Sequence, residues 1–385
     1  METFAGIGTF GLAAAKHGLT CAYANEADPS CVKTYEQNHC RGGPGIKNVD
    51  DRPIEQVTHD MFKKNLPRAD ILFGGFPCPS YSNNGKQEGF DSEKYGHYFY
   101  EIMKVIIRLQ IPFVVLENVS TFATNQAFEG IKEVRKEFES AGYYMTWGVY
   151  KAVDFNLAQN RHRCFIVAVR KDLRLAPFQF SKPPGRRQGL ALTDFLDPPS
   201  PPEDPSRYTL SDGGWVPNDV GKMARLVFVR DNRTLENRMS PEGLKTVGQW
   251  VPEGQTPKDS WRSGNMVYHH SGIASCILTK SDNWYQLPGH GGTDIIRQLS
   301  FREKLRLQGL PEDFQLSESP NQAQSQLGNT IPLPFAMQIM RDLQDQYPTI
   351  LSSDSLTTTD CWPDVQPRDQ DPEEEALMRR RLNNM

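Results

Sequence analysis

The sequence predicts an α/β fold in which a βαβ sheet unit is followed by a second, smaller and irregular module. Short apolar runs alternate with helix-like stretches through the first 170 residues, as buried parallel strands joined by crossover helices do. Proline- and glycine-rich punctuation sets in after Arg170, and helical periodicity returns from Arg297.

Taken in order, residues 20–24, 71–73, 113–116 and 164–169 read as strands, and residues 11–17, 98–109 and 128–141 as helices. PPG at residues 183–185, DPPSPPEDP at 197–205 and DGG at 212–214 then break any long helix. The span 175–290 holds Trp215, Trp250, Trp261 and Trp284, which suit either a binding face or a small core of large side chains. In RQLSFREKLRLQGLP, residues 297–311, Leu299, Leu305 and Leu307 mark an apolar stripe that Gly309 and Pro311 stop. A last helix is expected to start near residues 332–334 and run through 340–343. The acidic, proline-containing stretch after Ile350 has little to pack and is expected to be disordered.

At 385 residues, the chain exceeds the roughly 150 typical of one domain. Its mean hydropathy of -0.57 and its short apolar runs, such as residues 111–116, exclude a bilayer span, which needs about 20 apolar residues. The N-terminus lacks the basic-then-apolar order of a signal peptide. Seven cysteines, an odd number at irregular spacing, offer neither a disulfide framework nor a CxxC metal pair, so a reducing intracellular setting is expected. The net charge is -4, and residues 351–385, with eight acidic and four basic side chains, account for all of it. The remainder is neutral and neither demands nor excludes a nucleic-acid partner.

Four segments carry chemistry. TFAGIGTFG at residues 3–11 puts Gly6 and Gly8 between a first strand and a first helix, either as a plain tight turn or as a loop that approaches a ligand. Glu26 follows about twenty residues later, where an acid can take both hydroxyls of a ribose. Asp60 is a further polar candidate or a helix cap. In GGFPCPSYS, residues 74–82, Cys78 sits between two prolines after a buried strand, as a nucleophile or as an inert thiol in a rigid turn. VVLENV at residues 114–119 delivers Glu117 at a strand end, where burial would raise its pKa and let it donate near neutral pH, unless it is a surface ion-pair acid. Asn118 can tie adjoining loops. In QNRHRCFIV, Gln159, Arg161 and Arg163 alternate with period two and share one face, suited to phosphate or to the oxygen edge of a base, while His162 points away as a structural residue.

Together these segments resemble the DNA cytosine-C5 methyltransferases. FAGIG at residues 4–8, GFPCPSYS at 75–82, ENV at 117–119, QNRHR at 159–163, RQLSFREKLRLQGLP at 297–311 and GNTIPLP at 328–334 stand in family order over nearly all of residues 2–345. The resemblance implies a Rossmann-like mixed-sheet methyltransferase domain at 1–174, a smaller target-recognition domain at 175–290, a return to the first domain at 291–350 and a tail at 351–385. It implies S-adenosyl-L-methionine as cofactor, S-adenosyl-L-homocysteine as product and no metal. Phe4, Ala5, Gly6, Ile7, Gly8, Glu26, Asp60 and Asn329 would line the cofactor pocket. Cys78 would attack C6 of an extruded cytosine in double-stranded DNA, Glu117 would engage N3 and the exocyclic amine, Arg163 would face O2, and Arg161 would hold the loop or backbone. Ser82, Lys86 and Gln159 would serve the DNA or the loop after the cysteine. A monomer in the cytoplasm or nucleoid, or the nucleus, is expected.

Three residues depart from the family pattern: Pro79, where glutamine is common, and Asn156 and Ala158, where glycine and proline are frequent. The first removes a backbone N–H from the nucleophile loop, and none removes a reacting group. Cytosine-C5 methylation of tRNA on the same scaffold is the nearest alternative, but the Cys-Phe-Thr signature of that branch is missing after Cys78. The common RNA cytosine methylases carry their nucleophile in a different motif, and the strand bearing Glu117 offers no cysteine. A non-catalytic DNA-binding relative would have lost Cys78 or Glu117. A dehydrogenase would need GxGxxG where this chain has FAGIG.

Overall fold

The computed structural model describes residues 1–40, 48–60, 66–76, 97–124, 129–198, 215–217, 223–228, 244, 246–252, 266–280, 283–289 and 294–351. Its first sheet runs in the order β2-β1-β3-β4-β6-β5. The strands are β1 (Glu2–Thr3), β2 (Ala24–Asn25), β3 (Ile71–Gly75), β4 (Phe113–Val119), β5 (Tyr143–Lys151) and β6 (His162–Arg170). β2, β1, β3 and β4 are parallel, whereas β6 is antiparallel to both β4 and β5. The chain leaves β1 for one side and returns to β3 on the other, so the loops after β1 and β3 diverge at the carboxyl edge, where α/β sheets open a crevice. Because β6 runs backwards, its first residues arrive at that same edge.

The helices are α1 (Thr9–Lys16), α2 (Pro29–His39), α3 (Ile54–Asp60), α4 (His97–Leu109), α5 (Thr121–Thr124), α6 (Glu129–Ser140), α7 (Phe301–Leu307), α8 (Pro320–Asn329), α9 (Leu333–Gln346) and α10 (Pro348–Leu351). Both faces of the sheet are covered. Leu72, Val114, Leu116, Ile166 and Ala168 pack with Phe99, Ile102 and Ile106 of α4 and with Val134 and Phe138 of α6. On the other face Phe73 stacks on Phe10, and Phe165 meets Phe335 of α9 edge-on. Phe113 through Leu116 are therefore buried without a break, which is why β4 reads as a continuous apolar run.

Several elements differ from the sequence reading. The strand expected at 20–24 is only Ala24–Asn25, because its partner β1 offers two residues to pair with. β3 extends beyond 73 through Gly74 and Gly75, which pair with Leu116 and Glu117. β5 was not anticipated: it shows no apolar run, and at its start Tyr143 and Met145 are buried while Tyr144 is exposed. α2, α3 and α8 are likewise additions. α7 is shorter than residues 297–311, since Arg297 still belongs to a strand and Ser300 caps the helix in a reciprocal box with Glu303.

The smaller module carries a sheet of its own, in the order β12-β11-β10-β9-β8-β7. Its strands are β7 (Trp215–Pro217), β8 (Met223–Phe228), β9 (Thr246–Pro252), β10 (Met266–His269), β11 (Trp284–Pro288) and β12 (Asp294–Arg297). Neighbours are antiparallel except β10 and β11. Trp215, Trp250 and Trp284 lie on its strands, while Trp261 falls outside the described residues. The chain divides into units Met1–Asp342 and Leu343–Met385, and of the expected tail only Leu351 is described. Among the described residues no helix is long and apolar enough to cross a membrane.

Candidate active site

β1 ends at Thr3, and the chain turns at once through left-handed backbone at Phe4, Gly6 and Gly8, with φ of 52, 55 and 83°. Ala5 donates to Asn25 O at 3.0 Å, and Gly8 closes back on Ala5 O at 2.9 Å before α1 begins. The two glycines serve different ends. A Cβ on Gly8 would lie 2.3 Å from His39 Nε2, so the loop is pressed against α2 there. A Cβ on Gly6 would meet nothing within 4 Å among the described residues, so this part of the loop borders open space there. Glu26 accepts from the Gly6 amide at 2.7 Å and from the Asp28 amide at 2.9 Å. Its burial pushes the carboxyl up, against the pull of those two amides. Phe4 is half-buried with its ring edge-on to Tyr98, and Ile7 is buried.

Asp60 reaches this edge only indirectly. It is the last residue of α3, and its carboxylate accepts from Arg52 at 2.9 Å. The acid that the fold brings beside Glu26 is Asp50, which sequence reasoning missed. Asp50 bridges to Asn25, its carbonyl accepts from the Glu26 amide at 3.1 Å, and its carboxylate takes Tyr23 Oη at 2.9 Å and Arg52 Nη2 at 2.6 Å. The Arg52 guanidinium holds Asp50 below the usual carboxylate range. Its segment, NVDDRP, has no periodicity, so only strand pairing reveals it.

At the other side of the crevice, the register of β3 against β4 puts Gly75 opposite Glu117. A Cβ on Gly75 would come 3.2 Å from Glu117 Oε2, so glycine leaves room for the carboxylate. Glu117 is paired with Arg163, Nε to Oε1 at 2.9 Å, and both side chains are largely buried at 14% and 13% exposure. Burial drives the Glu117 carboxyl upward and outweighs the opposing pull of Arg163 and Arg161. Asn118 points to the opposite face and donates to Phe76 O at 3.3 Å, while Phe76 packs against Phe99 and Phe122. That bond anchors the last described residue before the segment that contains Cys78. Cys78 itself, with Pro79, Ser82 and Lys86, lies outside the described residues.

The period-two reading of Gln159, Arg161 and Arg163 needs correction. β6 starts only at His162, so Gln159 and Arg161 precede the strand, and both are fully buried rather than facing a ligand. Gln159 accepts from the Ile277 amide at 3.3 Å and donates to Leu307 O at 2.9 Å, so both ends of its amide are engaged within the protein. Arg161 donates to Cys276 Sγ and Ile277 O, each at 3.3 Å, to Gly328 O at 2.8 Å and to Thr330 O. One guanidinium thus fastens the segment after β10 and the end of α8 to the start of β6. Burial pulls Arg161 down to about 10. Burial pushes the Cys276 thiol up, but Arg161 and Arg163 more than offset it and hold the thiol below its ordinary value. Asn329 is exposed at the end of α8, between the two carbonyls that Arg161 takes. Among the described residues no group of three His, Cys, Asp or Glu side chains is placed to hold a metal ion.

The arrangement offers a glycine loop with a carboxylate beside it and, across the crevice, a buried acid with an arginine on it. A family model described as C-5 cytosine-specific DNA methylase matches residues 1–345. The Type II methyltransferase M.FnuDI of Fusobacterium nucleatum is 28% identical over 349 residues, 90% of this chain and 94% of the relative. The Type II methyltransferase M.HhaI of Haemophilus parahaemolyticus is 28% identical over 335 residues, 86% of this chain and 89% of the relative. Among solved structures, a putative DNA modification methyltransferase encoded within an E. coli prophage superposes with a TM-score of 0.57 at 18% identity, covering 90% of this chain and 98% of the other. The S. pombe Dnmt2 methyltransferase gives 0.54 at 16%, covering 89% and 97%.

Proposed function

The chain belongs to the C-5 cytosine-specific DNA methylase family, and from that premise we propose how its own residues carry out the reaction. It is an S-adenosyl-L-methionine-dependent DNA (cytosine-5-)-methyltransferase. The residues after β1 fit the cofactor: Gly6 borders open space, and Glu26, anchored on the Gly6 amide, presents a carboxylate suited to ribose hydroxyls. When bound there, S-adenosyl-L-methionine supplies an electrophilic methyl group and leaves as S-adenosyl-L-homocysteine.

Carbon 5 of cytosine is a poor nucleophile, and Cys78 activates it. The thiolate adds to C6, the C5=C6 pair shifts to C4–C5 and the C4=N3 pair to N3, and Glu117 steadies the charge that develops at N3 by donating its proton there. Burial shifts this carboxyl upward, toward the protonated form the step requires, against the opposing pull of Arg163 and Arg161. Arg163, ion-paired to Glu117, holds the acid in place and offers its remaining N–H groups to O2. As C5 is alkylated the N3 proton returns to Glu117; the C5 proton then leaves to water or a weak base, the C6–S bond breaks, and Cys78 is released as the thiolate. The target base is taken out of the duplex at a cost of a few kcal/mol.

The observation that carries this reading is the pairing of Gly75 with Glu117. Cys78 follows Gly75 by three residues, so covalent reach limits the two Cα atoms to about 11 Å. The proposal also includes target recognition by residues 175–290, a monomer, and an intracellular setting consistent with the free thiols of Cys21, Cys31, Cys40, Cys164 and Cys276. Transfer of labelled methyl groups to defined duplexes and to tRNA, with Cys78→Ser in parallel, tests it. Label at C5 of cytosine in duplex DNA, lost in Cys78→Ser, is expected, and label on tRNA alone would overturn the substrate assignment.

A further inference from the structure

His39, the last residue of α2, lies against the loop that follows β1. Its Nε2 is 3.0 Å from Ile7 O. A carbonyl oxygen only accepts, so Nε2 carries the hydrogen and donates. The ring packs 4.4 Å from Tyr35, whose hydroxyl donates to the buried Glu2 carboxylate at 2.8 Å, and 6.1 Å from Phe314. α2 itself is held in place: Gln326 donates to Ser30 Oγ and Thr34 Oγ1 at 2.8 and 2.9 Å, and Asn38 exchanges two hydrogen bonds with the Gln315 backbone. The histidine is therefore a fixed donor, and Gly8 is the residue that lets it approach, since any Cβ there would collide with it.

We propose that His39 is a positioning residue for cofactor binding, pinning the Ile7–Gly8 peptide from below while Glu26 holds the Gly6 amide. With both ends of the turn fixed, the loop needs no ordering when S-adenosyl-L-methionine binds, and that preorganisation appears as affinity. The inference rests on the assignment of residues 4–8 to the cofactor.

Isothermal titration of the full chain with S-adenosyl-L-methionine and S-adenosyl-L-homocysteine, together with steady-state kinetics, tests it. His39→Phe keeps the ring against Tyr35 and removes the donor. It should raise the cofactor Kd and KM about three- to tenfold, the size of one hydrogen bond, while kcat at saturating cofactor and KM for DNA change less than about twofold. His39→Gln restores an N–H and should recover most of the loss. Unchanged cofactor affinity in His39→Phe, equal losses in both variants, or a parallel loss in kcat and DNA KM would each overturn the proposal. Glu26→Ala separates the two levels. If it weakens cofactor binding and His39→Phe does not, the inference about His39 fails alone. If Glu26→Ala also binds normally, the assignment of the loop fails with it.

Discussion

Where β1 and β2 end, the functional groups are held by backbone. Gly6 donates to Glu26, Ala5 donates to Asn25, and Asp50 pairs with the end of β2. Where β3, β4 and β6 meet, the groups are held by buried charge: Glu117 on Arg163, and Arg161 on acceptors from two segments more than a hundred residues away. The first arrangement leaves a loop of set shape bordering open space. The second keeps a carboxyl and two guanidinium groups out of water, so their protonation is tunable and their loss is costly. On the proposed assignment, shape for the donor and electrostatics for the acceptor base are built on one edge by different physical means.

Removing the proposed nucleophile should have the largest effect. Cys78→Ser is expected to lower methyl transfer to duplex DNA by roughly three orders of magnitude or more, with cofactor affinity within about twofold of the parent, as read by single-turnover kinetics and titration. A large loss of cofactor binding would show that the two halves are not separable.

Glu117→Gln keeps the shape and removes the titrating proton. A fall in kcat of about 10²–10³-fold is expected, with cofactor Kd unchanged. The pH dependence follows from the direction of the shift. Burial raises the folded carboxyl above its unfolded value, so the native state retains its proton more tightly. The stability this group contributes is complete below the ordinary carboxylate range and is lost as pH rises through the folded value. Denaturant unfolding across that window should show the slope in the parent and a flatter one in Glu117→Gln. The activity limb that falls with rising pH should vanish with it.

Arg161→Met tests whether the buried guanidinium is structural. It leaves the carbonyls of Ile277, Gly328 and Thr330 without their donor, and a destabilisation of about 3 kcal/mol is expected from chemical denaturation. A catalytic role alone would leave stability unchanged and reduce only kcat.

These outcomes bear on how far residue order discloses function. The glycine turn after β1 and the acid near the end of β4 were legible because each stands where an apolar run stops, and strand ends are where α/β sheets place ligands. Arg163 was legible by its place before a buried strand, although it took the antiparallel direction of β6 to explain why that end faces the crevice. Arg161 holds backbone, as the family resemblance implies, but the shared outward face read for Arg161 and Gln159 does not form, because their partners lie 115 to 169 and 118 to 148 residues away and no local period encodes burial at a junction of segments. Asp50 was overlooked because it sits in a polar stretch whose position is set by pairing to β2 and by Arg52. β5 escaped notice because this edge strand is half-buried along most of its length and shows no continuous apolar run.

The smallest effect belongs to Asp60. Its carboxylate is partly exposed and engaged by Arg52, so Asp60→Asn should change cofactor KM less than about twofold. A larger change would move this acid into direct contact with the cofactor.

The proposed reaction runs through a covalent bond between Cys78 and the target base, supported by Glu117. A duplex carrying 5-fluorocytosine at the methylated position tests it directly, because fluorine at C5 cannot leave as a proton and the C6–S bond cannot be broken by elimination. With S-adenosyl-L-methionine present, wild-type protein should form a denaturation-resistant complex whose peptide map places the pyrimidine on Cys78. Absence of that adduct in protein that methylates the unmodified duplex, or its persistence in Cys78→Ser, would contradict the account.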